Sequence, residues 1–216
     1  MTEARQVVVL VHGLWMHGVV MQLLQYHLQN MGFEVVCHSY HSMRLTLTEN
    51  ADDLARFART LGTARLHWVG HSLGGLVILR MLERVSGLAP GRVVLLGTPY
   101  NGSYAARVLG DSGWGSHMIG NSLEEWRKLR KPEKFPGYEI GVIAGSRSMG
   151  LGCLVAPGLP EPNDGTVAVA ETELAAACDR IVLPVSHTSM LLSRAVADQT
   201  GAFLRDGRFD HDAGNS

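Results

Sequence analysis

Charge is scarce in this chain. Only 18% of its 216 residues are charged, and the formal net charge is -1. That balance offers no electrostatic argument for nucleic acid, which is not an expected partner. Long apolar runs are missing too: nothing approaches the roughly 18 residues needed to cross a bilayer. Cysteine is sparse. Cys37, Cys153 and Cys178 are odd in number and share no close spacing, which excludes a disulfide framework and predicts reduced thiols. Neither C-x-x-C nor H-E-x-x-H occurs, so the usual zinc signatures are absent. The N-terminal residues lead into a five-residue apolar run, too short for the core of a signal peptide. A cytoplasmic location is the expectation.

Hydrophobic residues are plentiful, at 46%. Combined with little charge, they suit a parallel sheet covered on both faces, whose strands read as continuous apolar runs. The length fits one domain with a substantial core. Strand-like runs recur at 7–11, 33–37, 66–69, 92–96, 139–144 and 180–185. Helical patterns at 19–30, 50–61, 73–85 and 187–204 separate most of them. This alternation predicts an α/β fold with a mostly parallel sheet of about six strands and helices on both faces. Residues 100–136 are too long for a simple connection and predict a short cap-like insertion. Residues 146–165 read as an irregular loop, and 206–216 as a polar C-terminal tail.

Among these elements Gly70-His71-Ser72-Leu73-Gly74 stands out. It spells G-x-S-x-G between an apolar strand and an apolar helix, the context of a nucleophile elbow. Such a turn thrusts the serine hydroxyl into the open, and glycines flank it because side chains would collide across the reversal. A serine hydroxyl also needs a base, a group that orients the base, and donors for the developing oxyanion.

In an open parallel sheet, reactive groups gather at the carboxyl ends of strands. Asp164 follows the fifth predicted strand and His187 the sixth. The order Ser72, Asp164, His187 assigns nucleophile, orienting acid and base. Glu161 is a weaker rival for the acid, and Asp179 precedes the last strand, at the wrong end. The backbone N–H of Leu73 and that of Leu14, after the first strand, are the expected oxyanion donors. His12 is expected to be structural. His71 is expected to point away from the reacting centre, His38 and His41 to sit in a solvated loop, and His117 lies in the insertion.

These segments resemble small α/β-hydrolases of the bacterial lipase and esterase kind. The resemblance is carried by Val-Leu-Val-His-Gly-Leu-Trp at 9–15, Gly-His-Ser-Leu-Gly-Gly at 70–75, Leu-Gly-Thr-Pro-Tyr-Asn-Gly-Ser at 96–103, Asn-Asp-Gly-Thr-Val at 163–167 and Ser-His at 186–187. It implies a single α/β-hydrolase domain over 1–216 that cleaves carboxylic esters through an acyl-enzyme on Ser72, without metal or organic cofactor. Larger members begin with two further strands and carry fuller lids. The differences imply a compact form with a relatively open site and argue against interfacial activation.

An acyl pocket is expected along Leu14, Trp15, Met16, Tyr100, Trp114 and Met190, which are apolar and lack an arginine cluster. The expected partner is therefore a small uncharged ester with an apolar acyl group, with no protein partner. A thioesterase or acyltransferase would use the same three residues. A non-catalytic lipid-binding member of the fold is the rival from another class.

Overall fold

The computed structural model describes residues 5–14, 18–62, 64–111, 116–129, 131–132, 134–149 and 158–212. Six strands form one sheet: β1 (Gln6–Val11), β2 (Glu34–His38), β3 (Arg65–His71), β4 (Pro90–Leu96), β5 (Glu139–Gly145) and β6 (Asp179–Leu183). Their order is β2-β1-β3-β4-β5-β6, and every pairing is parallel. The helices are α1 (Gln22–Asn30), α2 (Leu47–Thr60), α3 (Leu73–Arg84), α4 (Tyr104–Asp111), α5 (Ser116–Lys128) and α6 (Arg194–Asp206). The result is one α/β domain built on a wholly parallel six-stranded sheet.

Alternation along each strand divides the core in two. Val7, Val9 and Val11 of β1 face a layer built on α2, α3 and α5, while Val8 and Leu10 face α1 and α6. β4 repeats the pattern, sending Val93 and Leu95 one way and Val94 and Leu96 the other. Both faces are covered, so the central strands need apolar residues at successive positions. At the edge, β6 has no fully buried residue.

Helix ends follow local chemistry. α2 begins at Leu47, three residues before the expected start at 50. Thr46 and Glu49 form a capping box: the Thr46 hydroxyl accepts from Glu49 N at 3.2 Å, and Glu49 Oε2 accepts from Thr46 N at 2.8 Å. That pairing satisfies donors which the apolar periodicity does not register. The predicted helix over 187–204 is instead a single 3-10 turn, Ser189–Leu191, followed by α6. Ser193 caps α6, and Gly207 ends it at φ 73°.

The 100–136 segment contains α4 and α5, with Gly120 breaking the helical path at φ 67°. Polar contacts join α5 to α2: Thr48 N donates to Glu125 Oε2 at 2.9 Å, and Asn50 Nδ2 to Ser122 Oγ at 2.9 Å. After α6 the chain folds back. Phe209 is buried against Phe203 with ring centroids 4.9 Å apart, and Asp210 exchanges two backbone hydrogen bonds with the Gln199 side chain. Among the described residues no helix is long and apolar enough to cross a membrane.

Candidate active site

β3 ends at His71 and α3 begins at Leu73, so the chain reverses through Ser72 alone. Ser72 has φ 54° and ψ -123°, the one positive φ of a non-glycine residue among those described. Holding an L-residue there costs of order 1–3 kcal/mol, which the surroundings must supply. They do so in two ways. The Ser72 N–H donates to the Leu96 carbonyl on β4 at 2.8 Å, and its own carbonyl accepts from Gly75 N at 3.1 Å. Glycines let backbone approach backbone. A Cβ on Gly74 would lie 2.3 Å from the Val11 carbonyl oxygen, and one on Gly70 2.6 Å from the Gly75 Cα.

Asp164 lies in the loop that leads away from β5 and is 1% exposed. Its Oδ1 accepts from Thr166 N at 2.9 Å and Val167 N at 2.7 Å. Its Oδ2 accepts from His187 Nδ1 at 2.7 Å. The His187 backbone N–H also donates to the Asp164 carbonyl, at 2.8 Å. The two backbone donors thus fix Oδ1 and leave Oδ2 to meet the imidazole. Close packing locates the pair beside β4, where a Cβ on Gly97 would lie 3.1 Å from both Asp164 Oδ2 and His187 Nδ1. His187 is 8% exposed and its ring centroid is 4.6 Å from that of His71, the neighbour of Ser72 in sequence.

The turn after β1 approaches the same point. A Cβ on Gly13 would sit 3.1 Å from Ser72 Cβ, so any larger residue there would crowd the serine. Leu14 follows in this turn, and Leu73 opens α3 directly after Ser72. His12 is fully buried, with Nδ1 donating to the Gly13 carbonyl at 2.8 Å and its ring stacked on Tyr40.

Profile comparison matches residues 8–204 to the alpha/beta hydrolase family. The chain belongs to that family. Sequence comparison with curated proteins finds no match. Several solved structures share the fold at low identity. The mature lipase BlEst2 of Bacillus licheniformis is 19% identical, with 94% of this chain and 92% of that one covered and a TM-score of 0.71. A metagenomic carboxyl esterase is 15% identical over 87% of this chain and 66% of its own, at a TM-score of 0.62. The RedJ thioesterase of Streptomyces coelicolor is 14% identical over 95% and 86%, also at 0.62.

In this alpha/beta hydrolase the expected pocket residues fare unequally. Trp15, Met16 and Trp114 lie outside the described residues, as does Cys153. Leu14 is partly buried and packs on the α2–α3 side of the core. Tyr100 is buried against Trp126, its hydroxyl donating to the Pro132 carbonyl. Met190 is fully buried beneath the Asp164–His187 pair, its sulfur 3.2 Å from where a Gly97 Cβ would be. It packs beside that pair and is closed off from solvent.

Other expectations are corrected by burial. His38 ends β2 and is buried, 3.3 Å from Asp53 Oδ2, not in a solvated loop. His71 points toward the His187 segment, its Nε2 2.9 Å from the His187 carbonyl oxygen, and not away from it. Asp179, as expected, opens β6 at the end away from His187, where it engages Phe209 N at 2.7 Å and His211 Nε2 at 2.9 Å. Glu171 escaped the sequence reading altogether. Its Oε2 accepts from Ala168 N at 2.9 Å and its Oε1 from Tyr104 N, clamping the loop beyond Asp164 to the start of α4. Burial raises its carboxyl pKa above the ordinary value, the two backbone donors opposing that rise. The alternation of a strand offered no hint of this clamp, since Glu171 lies in the short 3-10 turn Val169–Thr172.

Proposed function

We propose that this protein is a serine hydrolase of carboxylic esters. The observation that carries this reading is the buried Asp164 carboxylate, tied by two backbone N–H groups and bonded at 2.7 Å to the His187 ring beside the Ser72 turn. Nδ1–H donation to Asp164 leaves the His187 Nε2 lone pair free to take a proton. His187 removes the Ser72 proton as the hydroxyl oxygen attacks the ester carbonyl carbon. The carbonyl oxygen becomes an oxyanion, received by the N–H groups of Leu73 and Leu14. His187 then returns its proton to the departing alkoxide, leaving an acyl group on Ser72. Water attacks that ester with the same assistance, releasing the acid and restoring the serine. The strained backbone at Ser72 supports the assignment, because such conformations cluster where function requires them.

The apolar and aromatic residues expected around the site, Leu14, Trp15, Met16 and Tyr100 among them, with no arginine cluster, favour an uncharged ester with an apolar acyl chain. Replacement Ser72→Ala should lower kcat on p-nitrophenyl esters by on the order of 10⁵–10⁶, and a fluorophosphonate probe should label the wild type but not the variant. Retained activity in the variant would refute the reading. Turnover in the presence of alcohol or thiol acceptors, with product analysis, separates hydrolysis from acyl transfer.

A further inference from the structure

His187 is held at three points. Two lead to Asp164: the backbone N–H to its carbonyl at 2.8 Å, and Nδ1 to Oδ2 at 2.7 Å. The third leads to β3, where His71 Nε2 donates to the His187 carbonyl at 2.9 Å. Of the three, this is the bond that ties the His187 segment to the strand carrying Ser72. Without it, Asp164 and His187 remain a pair, but their placement relative to the serine rests on packing and on the sheet ladders that run from β3 through β4 and β5 to β6.

We propose that His71 is a positioning residue, whose Nε2–H fixes the reach between the His187 ring and the Ser72 hydroxyl by holding the His187 carbonyl. The proposal rests on the roles assigned above to Ser72 and His187. Donation to a carbonyl sets the tautomer: the proton is on Nε2 and Nδ1 is bare. His71 is fully buried, its Nδ1 meets no hydrogen-bond partner among the described residues, and a Cβ on Gly13 would lie 3.0 Å from it. A second proton would therefore have no acceptor. Burial first, then the neighbouring His187 and His12, hold the pKa of His71 down to about 3. A neutral His71 is what the chemistry needs, because His187 gains its positive charge with the two ring centroids 4.6 Å apart. One side chain thus joins the serine turn to the base while adding no charge that would oppose proton uptake.

The test compares two polar replacements. His71→Gln carries an amide N–H close to the position of Nε2, whereas His71→Asn ends near Nδ1 and does not reach the His187 carbonyl. On a p-nitrophenyl ester, His71→Asn should lose on the order of 10–100-fold in kcat, as expected of a displacement of about 1 Å. Its KM should stay within about twofold, since binding of substrate is not touched. His71→Gln should recover most of the lost kcat. Equal kcat in both variants, whether low or wild-type, overturns the proposal, as does a loss confined to KM. Should the Asn variant fail to fold, His71→Leu takes its place as the replacement without a donor, judged by the same comparison. Ser72→Ala is measured alongside: full activity there overturns the underlying reading, whereas an inactive Ser72→Ala with an unaffected His71→Asn overturns the positioning role alone.

Discussion

Replacing Asp164 by asparagine changes one atom, and its consequence can be worked out from three hydrogen bonds. Oδ1 accepts from the N–H groups of Thr166 and Val167, while Oδ2 accepts from His187 Nδ1. An asparagine must keep its carbonyl oxygen toward the two N–H groups, because turning its NH₂ there would set donors against donors. The NH₂ is then forced toward His187. Nδ1 must become an acceptor, and the ring proton moves to Nε2. That tautomer has no lone pair facing Ser72 and cannot take its proton. The expected loss in kcat is on the order of 10⁴, or about 5.5 kcal/mol of transition-state stabilisation. Stability should change by less than about 1 kcal/mol, since every buried polar group still has a partner. Alanine at 164 behaves differently. It strands two N–H groups and Nδ1, each worth about 1–3 kcal/mol when left unsatisfied, so the protein should be visibly less stable as well as inactive. Steady-state kinetics on a p-nitrophenyl ester, paired with urea unfolding of both variants, separates these effects. An asparagine variant within tenfold of the wild-type kcat would refute the tautomer reasoning and with it the role of Asp164.

Three further outcomes are expected. Gly74→Ala places a methyl group 2.3 and 2.4 Å from the carbonyl oxygens of Val11 and His12; the collision is with backbone, so urea unfolding should show a loss of about 3 kcal/mol or more, and an unchanged midpoint would contradict the packing. Thr46→Ala removes the acceptor for Glu49 N at the start of α2 and should cost about 1 kcal/mol, read as a lower thermal midpoint. Stability should also fall with acidification, because the pKa of His71 is held down to about 3 by burial and that of His67 to about 4 by burial and then Arg92 and Arg65. The unfolded chain binds these protons near pH 6.5 and the folded protein does not, so stability is whole above about 6.5 and declines toward the folded values; His71 alone accounts for about 2 kcal/mol at pH 5. A stability curve for His71→Gln as steep as the wild type between pH 5 and 7 would contradict that assignment.

The legible and the illegible parts of this molecule differ in the range of the interaction that decides them. Strands of a sheet buried on both faces must be apolar at successive positions, so β1, β3, β4 and β5 announced themselves as runs. Asp164 and His187 were legible because a parallel sheet brings the carboxyl ends of its strands to one edge, and each residue follows such an end. The start of α2 was missed by three residues because a capping box acts through polar pairs, which apolar periodicity ignores. His71 shows the harder limit. Its partner is a backbone carbonyl 116 residues away, and a carbonyl carries no residue identity to search for. Half of the answer was nevertheless present. His71 stands two residues beyond Val69, so strand alternation gives both the same face. Val69 packs in the layer with α6 and Met190, and Met190 lies three residues after His187. What the alternation cannot supply is which layer covers that face. Once α6 is known to lie there, a histidine that ends β3 on that side must meet the segment preceding α6, and the expectation that it points away from the reacting centre reverses.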